Sequence, residues 1–513
     1  MAERLFRQNA WVRQMTGAPW WLYYLVLLAI AQLVFWRTAW IADDALITLR
    51  SALNFEAGFG PVYNLGERVQ GFTHATWFGL LVGLLALGNE PFAALFTLSL
   101  VVNLVTMLAL AVLLREFAVP VLFTWLLSKG FIDFANSGLE NPLTYLLLVL
   151  TACALRLRDQ RQRALVSGLC CGALIMTRPD LGLMLIAVLV VNRSARFWFW
   201  FMLGLLPLML WLSVSLYYFG TFLPNTAFAK LGTGLPRIEL LLQGLVYLAT
   251  VVVHDPLAVA LTVLFLILAV RGRAARELFV FVAMFIGYTI FVGGDFMGSR
   301  FFAVPFVAGT LGLGLLRQAG QLPPVGRSLW LVAALGLAPF SVYDNFLAGS
   351  RFDQREWWFG GVADERGYYF QEFGLSAGAL GTVPDVSDWR ERAGETVSVH
   401  EVCGGMGIAG IELGPAAHML DTCALVDPLL ARLPMDYPGF MRWRIGHFYR
   451  EIPENYPALL LGLSDQLPHA PTQRLLEDIH LATRAPLKST GRAMAIWRLH
   501  TFDYGITSEK NVE

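Results

Sequence analysis

Long apolar runs set the strongest limit on what this chain can fold into. They extend from Trp20 to about residue 343, whereas residues 344–513 have the mixed composition of an ordinary globular domain. Over the whole chain 15% of the residues are charged, compared with about 25% in a typical soluble protein. We therefore predict a polytopic α-helical membrane domain, residues 1–343, followed by a small soluble α/β domain, residues 344–513.

The distribution of basic residues predicts how the membrane domain is oriented. Loops rich in Lys and Arg stay on the cytoplasmic side, and such clusters occur at Arg4, Arg7 and Arg13; at 156–163; at 193–196; at 271–276; and at 317–327. To keep these clusters on one side, we interpret the apolar segments 75–88 and 238–253 as re-entrant or interfacial helices. About eleven spans remain, beginning with Trp20–Trp40, with the N-terminus inside and the C-terminal domain outside. In a bacterial inner membrane, that outer side is the periplasm.

Ionisable and polar residues gather in the segments that this topology puts on the outer face. The first outer loop, residues 41–90, has helical apolar spacing over 44–57, with Asp43 expected to cap that helix and Gly58 to end it. Because ionisable groups at membrane depth are costly, each is a candidate site residue. The candidates are Asp43, Asp44, Arg50, Arg68, His74, Glu140, Arg178, Asp180, Asn225, Lys230, Asp295 and Arg300.

Several of these residues also have a purely structural interpretation. Arg178 with Asp180, and Asp295 with Arg300, are close enough in sequence to form local ion pairs. Lys129 lies inside an apolar run and is expected to extend its ammonium group towards the membrane surface. We weigh these alternatives against the clustering itself, since so many polar residues on one face indicate a common site.

The soluble domain contributes two further features. Cys403 and Cys423 would form a disulfide if the domain lies in an oxidising compartment, or remain free thiols if it does not. Arg442, Arg444, His447, Tyr449 and Arg450 lie close together and either reach over the membrane cavity to bind an acceptor or form a solvated charged face.

Other classes of function lack support in the sequence. The net charge is zero, so the chain has no general footprint for nucleic acid. It has neither a GxGxxG motif opening a helix nor a GxxxxGK[ST] loop, the two common nucleotide-binding patterns. We predict no cofactor and no metal site from His or Cys spacing, although Asp43, Asp44 and Glu140 leave a divalent cation open.

The outer-face motifs resemble the GT-C superfamily of integral-membrane glycosyltransferases. The string DDALITLRSALNFEAGFGPVYNLGERVQGFTH is similar to the first loop of the AftB-like terminal arabinofuranosyltransferases. SGLENPL, TRPD, FGTFLPNTAFAKLG, GGDFMGSRFF, DTCALVDPLLARLP and RWRIGHFYREIPENY continue this similarity over roughly residues 40–460. The chain is shorter than expected for a cell-wall arabinan enzyme, and the arabinosyltransferases that act on type IV pilin match its size equally well.

The resemblance implies a GT-C fold and a polyprenyl-phosphate sugar donor, D-arabinofuranose being the sugar. The acceptor would be a hydroxyl of an arabinan-type glycan or of a pilin Ser or Thr. We expect Asp44 or Asp43 to be the general base and a single displacement to invert the anomeric centre. Arg178 and Arg300 are the first choices for binding the donor phosphate, followed by Lys230, His74 and Arg68. Arg50, Glu140, Asn225, Asp295, Arg444 and His447 would bind substrate.

Two alternatives remain open. Within the same class, the enzyme would transfer a hexose or mannose from polyprenyl phosphate. From a different class, the chain would be a flippase or transporter of lipid-linked sugars. Transporters often carry inverted repeats and charged residues at the membrane midplane, and the sequence shows neither.

Overall fold

A computed structural model describes residues 19–342, 359–381 and 383–506. Arg4, Arg7 and Arg13, on which the orientation of the N-terminus depends, lie outside these residues. The predicted domain boundary at 343/344 lies outside them as well.

The segment from 19 to 342 is helical throughout, as its apolar runs predict. Its helices are α1 (Trp20–Thr38), α2 (Asp43–Glu56), α3 (Ala75–Ala86), α4 (Pro91–Leu114), α5 (Ala118–Trp125), α6 (Lys129–Ala135), α7 (Asn141–Ala154), α8 (Gln160–Thr177), α9 (Gly182–Val191), α10 (Ala195–Gly204), α11 (Leu206–Phe219), α12 (Asn225–Leu231), α13 (Arg237–His254), α14 (Pro256–Ala269), α15 (Arg276–Phe291), α16 (Arg300–Gln318) and α17 (Pro324–Val342). The predicted span at 118–134 is wrong as one helix, because α5 ends at Trp125 and the hydroxyl of Ser128 caps α6 by accepting a hydrogen bond from the Phe131 N–H.

Four helical segments among the described residues are long and apolar enough to cross a membrane: Trp20–Thr38, Pro91–Trp125, Arg237–His254 and Arg300–Gln318. A fifth is obtained if α10 and α11, bent by 47°, count as one span. The number of eleven spans stays a prediction. The 12 residues of α3 reach only about 18 Å, which fits a helix that does not cross, whereas α13 is long enough to cross and its length gives no reason to make it re-entrant.

Helix α16 is the centre of the helical part. Of its most apolar 18-residue window, 83% is buried, and α14 and α15 pack along it. Peripheral helices such as α4 and α11 instead expose large apolar side chains on one face. A buried central helix surrounded by helices with apolar outer faces is the arrangement expected of a protein in lipid.

Helix α2 is not a helix lying on an open surface. Most of its residues are buried, because α3 packs on one side and the C-terminal part of the chain packs on another. The helix begins at Asp43 without a side-chain cap of its own, so the prediction that Asp43 caps α2 is wrong. Gly58, with φ of +88°, follows the last turn, which confirms the predicted end of the helix.

The C-terminal part, residues 359–506, contains a small parallel sheet. Strands β1 (Ser398–Val402) and β2 (Ala417–Asp421) pair in register from Ser398 with Ala417 to Val402 with Asp421. The remaining helices are α18 (Glu365–Phe373), α19 (Trp389–Arg392), α20 (Met406–Leu413), α21 (Tyr456–Leu460), α22 (Ala470–Arg484) and α23 (Thr490–Thr501). Helix α20 connects the two strands, so β1, α20 and β2 form a βαβ unit.

A buried ionic network joins α6 to the start of α18. The Lys129 ammonium lies 2.8 Å from Asp133 and 3.1 Å from Asp364, and Arg366 lies 2.6 Å from Asp133. Lys129 is only 1% exposed, so the expectation that it extends to the membrane surface is wrong. The carboxylate of Asp364, from the distant C-terminal part, satisfies the ammonium group inside the protein instead.

Candidate active site

Polar side chains from four distant segments meet above the N-terminal end of α16. Glu140 is 3.3 Å from His74 and 3.9 Å from Arg178, and Arg300 is 3.7 Å from Asp44. The predicted convergence of these residues is therefore found in the structure. We call Asp44, His74, Glu140, Arg178, Asp180, Asp295 and Arg300 the charged cluster.

Arg178 stands where α8 ends. Pro179 follows it, and the extended backbone of Arg178 is the conformation that a residue before proline prefers. Its Nε and Nη2 donate to the two carboxylate oxygens of Asp180 at 3.1 and 2.7 Å, which is the predicted local ion pair. Its Nη1 is buried and has no hydrogen-bond partner among the described residues. The fork is thus held by Asp180 and keeps a donor for a further acceptor.

Arg300 opens α16 immediately after Ser299, whose φ is +63°. Its Nε donates to Asp295 at 2.6 Å, the second predicted local pair, while Nη1 faces Asp44. Both guanidinium groups lie near the ring of Phe301, at 4.9 Å for Arg178 and 5.7 Å for Arg300. The two arginines therefore flank one aromatic side chain and belong to one site.

His74 links the first outer loop to α7. Its Nε2 lies 2.6 Å from the hydroxyl of Thr48, and its Nδ1 faces Glu140, which stands at the start of α7. His74 and Glu140 are both buried. This arrangement orients Glu140 towards Arg178 and gives His74 a place beside the arginines that does not depend on a ligand.

The adjacent residues Asp43 and Asp44 have different surroundings. Asp43 is buried and accepts the N–H of Ile408 at 2.8 Å, so it caps the N-terminus of α20. Burial raises the pKa of Asp43 to about 6, although the N–H groups of α20 oppose the shift. The side chain of Asp44 is 28% exposed and faces Arg300. Of these two aspartates, only Asp44 is both accessible from outside and next to an arginine of the charged cluster.

A cleft opens over these aspartates between the helical part and the C-terminal part. Its lining residues are Asp43, Asp44, Lys230, Phe296, Gly404, Met406, Asp421, Cys423, Leu425, Gly446 and His447. Lys230 is exposed there. The rings of His447 and Phe296 meet edge to face at 4.7 Å, and the guanidinium of Arg444 lies 4.9 Å from the ring of Phe296. The C-terminal part thus supplies one wall of the cleft.

His447 in this wall is uncharged. Burial, together with the nearby charge of Arg444, lowers the pKa of His447 to about 3, so this imidazole is neutral at physiological pH. The rings of His447 and Phe296 thus form a neutral surface next to the positive charges of Arg444 and Lys230.

Glu365, which the sequence did not single out, also belongs to this region. It begins α18 and lies 3.4 Å from Arg444. Burial raises its pKa to about 8, and the nearby Asp44, Asp43 and Asp295 add to the shift against the opposing effect of Arg444. Its neighbours Asp364 and Arg366 pair with Lys129 and Asp133 of α6, which fixes Glu365 in place. An acidic residue in the first turn of a helix is common, so the local sequence gave no reason to predict Glu365 as a site residue.

Glu365 should make the stability of the protein depend on pH. Between the unfolded pKa of 4.5 and the folded pKa of about 8, the folded protein binds a proton that the unfolded chain has released. The free energy of unfolding therefore falls as the pH rises through this interval. The side chain in Glu365→Gln does not titrate. The melting temperature of this variant in detergent, relative to that of wild type, should therefore rise from pH 5 towards pH 8. Parallel curves for the two proteins would contradict this assignment.

Three predicted site residues serve the architecture instead. Arg50 is fully buried and donates to the carbonyls of Tyr63, Gly410, Gly414 and Ala417, which ties it to the C-terminal end of α20. Arg68 donates to the carbonyl of Ala485, at the end of α22. The side-chain amide of Asn225 donates to the carbonyls of Ala424, Leu425 and Asp427. These three residues therefore lie outside the charged cluster and hold the C-terminal part against the helical part.

The structure distinguishes the two alternatives for Cys403 and Cys423 and describes the groups that could bind a metal ion. Cys403 and Cys423 are bonded, and the bond joins the ends of β1 and β2 beside the cleft. No group of three or more His, Cys, Asp and Glu side chains within residues 19–342, 359–381 and 383–506 is arranged to hold a metal ion.

Among known proteins, two curated relatives are each 29% identical to this chain. The terminal β-(1→2)-arabinofuranosyltransferase of Mycobacterium tuberculosis aligns over 409 residues, 66% of this chain and 64% of the relative. The enzyme of the same name from Corynebacterium glutamicum aligns over 330 residues, 53% of this chain and 47% of the relative. The chain thus spans less than two thirds of the length of either relative. The resemblance that the motifs predicted is confirmed, while no family model matches the chain.

Two solved structures are similar at a lower level. The crystal structure of ArnT from Cupriavidus metallidurans bound to undecaprenyl phosphate has a TM-score of 0.43 and 14% identity, and covers 78% of this chain and 85% of that chain. The structure of the same protein in the apo state has a TM-score of 0.40 and 15% identity, with 77% and 85% covered.

Proposed function

We propose that this protein is a membrane glycosyltransferase. It transfers a sugar, D-arabinofuranose, from a polyprenyl-phosphate donor to an acceptor hydroxyl on the periplasmic face of a bacterial inner membrane. The observation that carries the proposal is the position of Asp44, an accessible carboxylate on the cleft, 3.7 Å from an arginine of the charged cluster. Both relatives are arabinofuranosyltransferases, which supports arabinofuranose as the sugar.

Asp44 acts as the general base. An acceptor hydroxyl has a high pKa, so it attacks the anomeric carbon only if a base within hydrogen-bond reach takes its proton. Asp44 can be reached from the cleft, whereas Asp43 is already occupied by the N-terminus of α20. We assign to Asp43 the role of holding the docked C-terminal part next to the base.

Arg178 and Arg300 bind the phosphate of the donor. A guanidinium has five N–H donors in a planar fork, and the pairing with Asp180 and Asp295 uses only part of them. These carboxylates hold both forks in a fixed orientation, so little reorganisation is needed when the donor binds. Donors placed in advance stabilise the negative charge that develops on the leaving phosphate.

The reaction is a single displacement. The acceptor oxygen forms a bond to the anomeric carbon as the bond from that carbon to the phosphate oxygen breaks, and the hydroxyl proton passes to Asp44. The products are the glycosylated acceptor and a polyprenyl phosphate. Attack opposite the leaving phosphate inverts the anomeric centre, by analogy with inverting glycosidases. This requires the Asp44 carboxylate to leave its 3.7 Å contact with Arg300 when the sugar enters between them.

The acceptor enters through the cleft between the helical and C-terminal parts. We place Lys230, Arg444 and His447 around it, with the ring of Phe296 supporting Arg444 and His447 from behind. Both an arabinan-type glycan and a Ser or Thr of a pilin protein provide the required hydroxyl. The acceptor is therefore a question for experiment.

The experiment is a transfer assay with the full chain in nanodiscs. Synthetic polyprenyl-phosphate arabinofuranose and polyprenyl-phosphate mannose are each offered with arabinan fragments and with pilin peptides. We expect transfer from the arabinose donor to one acceptor class. Transfer from the mannose donor alone would replace the sugar assignment by the hexose alternative. Movement of the donor between leaflets without transfer to any acceptor would replace the enzyme by the flippase alternative.

Arg178→Lys is expected to raise the KM for the donor by about tenfold to a hundredfold. This range corresponds to the loss of one hydrogen bond to a charged group, ~1.5–3 kcal/mol, because Lys keeps the charge but loses the planar fork. Steady-state kinetics at a fixed acceptor concentration measure the effect. Arg68→Lys, at a partly buried contact outside the charged cluster, is the matched control and should leave the KM unchanged. Equal effects of the two variants would remove Arg178 from the phosphate site.

A further inference from the structure

The last helix, α23 (Thr490–Thr501), has one apolar stripe that is open to the outside. Ala493, Met494, Trp497 and His500 are all exposed and recur at spacings of three and four residues, so they form one face of the helix. Met494 is 61% and Trp497 65% exposed, and Phe502, just beyond the helix, is exposed as well. The opposite face is buried against α22 through residues such as Arg492 and Ala495.

This helix rests on the end of α11, one half of the bent pair that is long and apolar enough to cross a membrane. Arg492 donates to the carbonyl of Tyr218 at 3.0 Å, and Ile496 packs against Gly220. The ring of His500 lies 6.3 Å from the ring of Phe222 in the turn that follows α11. The position of α23 is thus fixed relative to one end of this helix pair.

Exposed apolar side chains lie on both sides of this contact. On α11 the side chains of Leu210, Val214 and Tyr217 are exposed, and in the following turn Phe222 and Leu223 are exposed. The stripe on α23 meets this turn where the ring of His500 lies beside Phe222. A lipid-facing surface that passes into Tyr, Phe and Trp side chains is typical of the boundary between acyl chains and headgroups.

The charges of α23 leave its exposed stripe free of ionic contacts. The helix contains no Asp or Glu. Arg492 donates to the carbonyls of Ala482 and Tyr218, and Arg498 pairs with Asp478 of α22, so both arginines are engaged by the protein. Helices that lie in the membrane interface carry Trp, Phe or Leu on their apolar face, as α23 carries Trp497.

We infer that α23 lies in the interface of the bilayer, with Met494, Trp497 and Phe502 in contact with lipid. It then holds the C-terminal part at a fixed height over the membrane. The cleft wall formed by Gly404, Gly446 and His447 belongs to this part, so the cleft would open at the level of the headgroups. This inference does not depend on the proposed activity.

Spin labels on the full chain test the inference. Cys153, Cys170 and Cys171 are replaced by Ala, the Cys403–Cys423 disulfide is kept, and one label is introduced by Trp497→Cys or, one turn earlier, by Met494→Cys. Val214→Cys on α11 provides a lipid reference, and Glu477→Cys on the polar face of α22 provides an aqueous reference. Each protein is placed as a single copy in phosphatidylcholine nanodiscs, and power saturation compares collisions with oxygen and with a water-soluble nickel complex.

We expect the labels at 494 and 497 to collide with oxygen more than with nickel, as at 214, but at a shallower depth. A label at 477 should show the reverse preference. If the labels at 494 and 497 behave like the label at 477, the helix lies in water and the inference is wrong. Protection from both reagents would also overturn it, since the stripe would then be covered by protein.

Discussion

Asp44→Asn is expected to reduce the turnover number by about 10²–10⁴-fold, the usual contribution of a general base. The amide has nearly the shape of the carboxylate but cannot accept the proton of the acceptor hydroxyl. Binding of the donor should persist, because Arg178 and Arg300 keep their pairing with Asp180 and Asp295. Transfer kinetics with labelled donor, together with donor binding at equilibrium, separate the two effects.

Asp43→Asn is the matched control, since it makes the same chemical change one residue away. The side-chain oxygen of Asn can still accept the N–H of Ile408, and burial already disfavours the charge of Asp43, so the stability of the variant should change little. Its turnover should stay within a few fold of wild type once the protein is folded. Loss of turnover in Asp43→Asn with normal turnover in Asp44→Asn would exchange the roles of the two residues.

Lys129→Met should be among the most destabilising substitutions in the chain. It removes the cation that lies between Asp133 and Asp364 and leaves an uncompensated negative charge inside the protein. Breaking a buried ion pair by removing one partner costs about 3–5 kcal/mol. The melting temperature in detergent, followed by tryptophan fluorescence, is expected to fall accordingly.

A double variant distinguishes the loss of charge balance from the loss of packing. Lys129→Met combined with Asp364→Asn restores neutrality, because Asp133 and Arg366 still balance each other. It should therefore be more stable than Lys129→Met alone. If the double variant is the less stable of the two, the charge balance of this network does not explain the stability of the contact.

The positions of the ionisable residues along the sequence were enough to predict that the charged cluster forms. Arg178, Arg300, Glu140 and His74 lie between apolar runs, where an ionisable group is costly unless it has partners. Each of them therefore had to find partners at the same depth, and the structure brings them together. The predicted helices follow from the same runs, since a backbone in an apolar surrounding must satisfy its hydrogen bonds internally.

The residues whose partners are far away in the chain could not be assigned in this way. Arg50 and Arg68 have the residue type expected of a phosphate site, but they donate to carbonyl groups more than 300 residues away. Lys129 was expected at the surface, because its partner Asp364 belongs to a different part of the chain. Glu365 could not be predicted as a site residue, because its place beside Arg444 depends on the contacts of Asp364 and Arg366 with α6. Sequence spacing reports local geometry, and these contacts are not local.

The pair Asp43 and Asp44 shows the same limit on the smallest scale. Consecutive residues at a helix start point in different directions, about 100° apart around the axis. The docking of α20 decides which of the two carboxylates is occupied by a helix N-terminus. The sequence therefore predicted a base in this dipeptide without choosing between the two, and the proposal chooses Asp44 because of its surroundings.

The docking of α20 on α2 has a consequence for building hybrid enzymes. Asp43 caps one end of α20 and Arg50 binds the other, at a separation of about two turns along α2. Between them, a side chain at Gly407 would lie 2.0 Å from the carbonyl oxygen of Asp43, and one at Gly410 would lie 2.1 Å from the hydroxyl of Tyr63. A foreign C-terminal part could therefore be joined to this helical part, to change the acceptor, only if its corresponding helix has this length and these two glycines. It would also have to supply the partners of Lys129, Arg68 and Asn225.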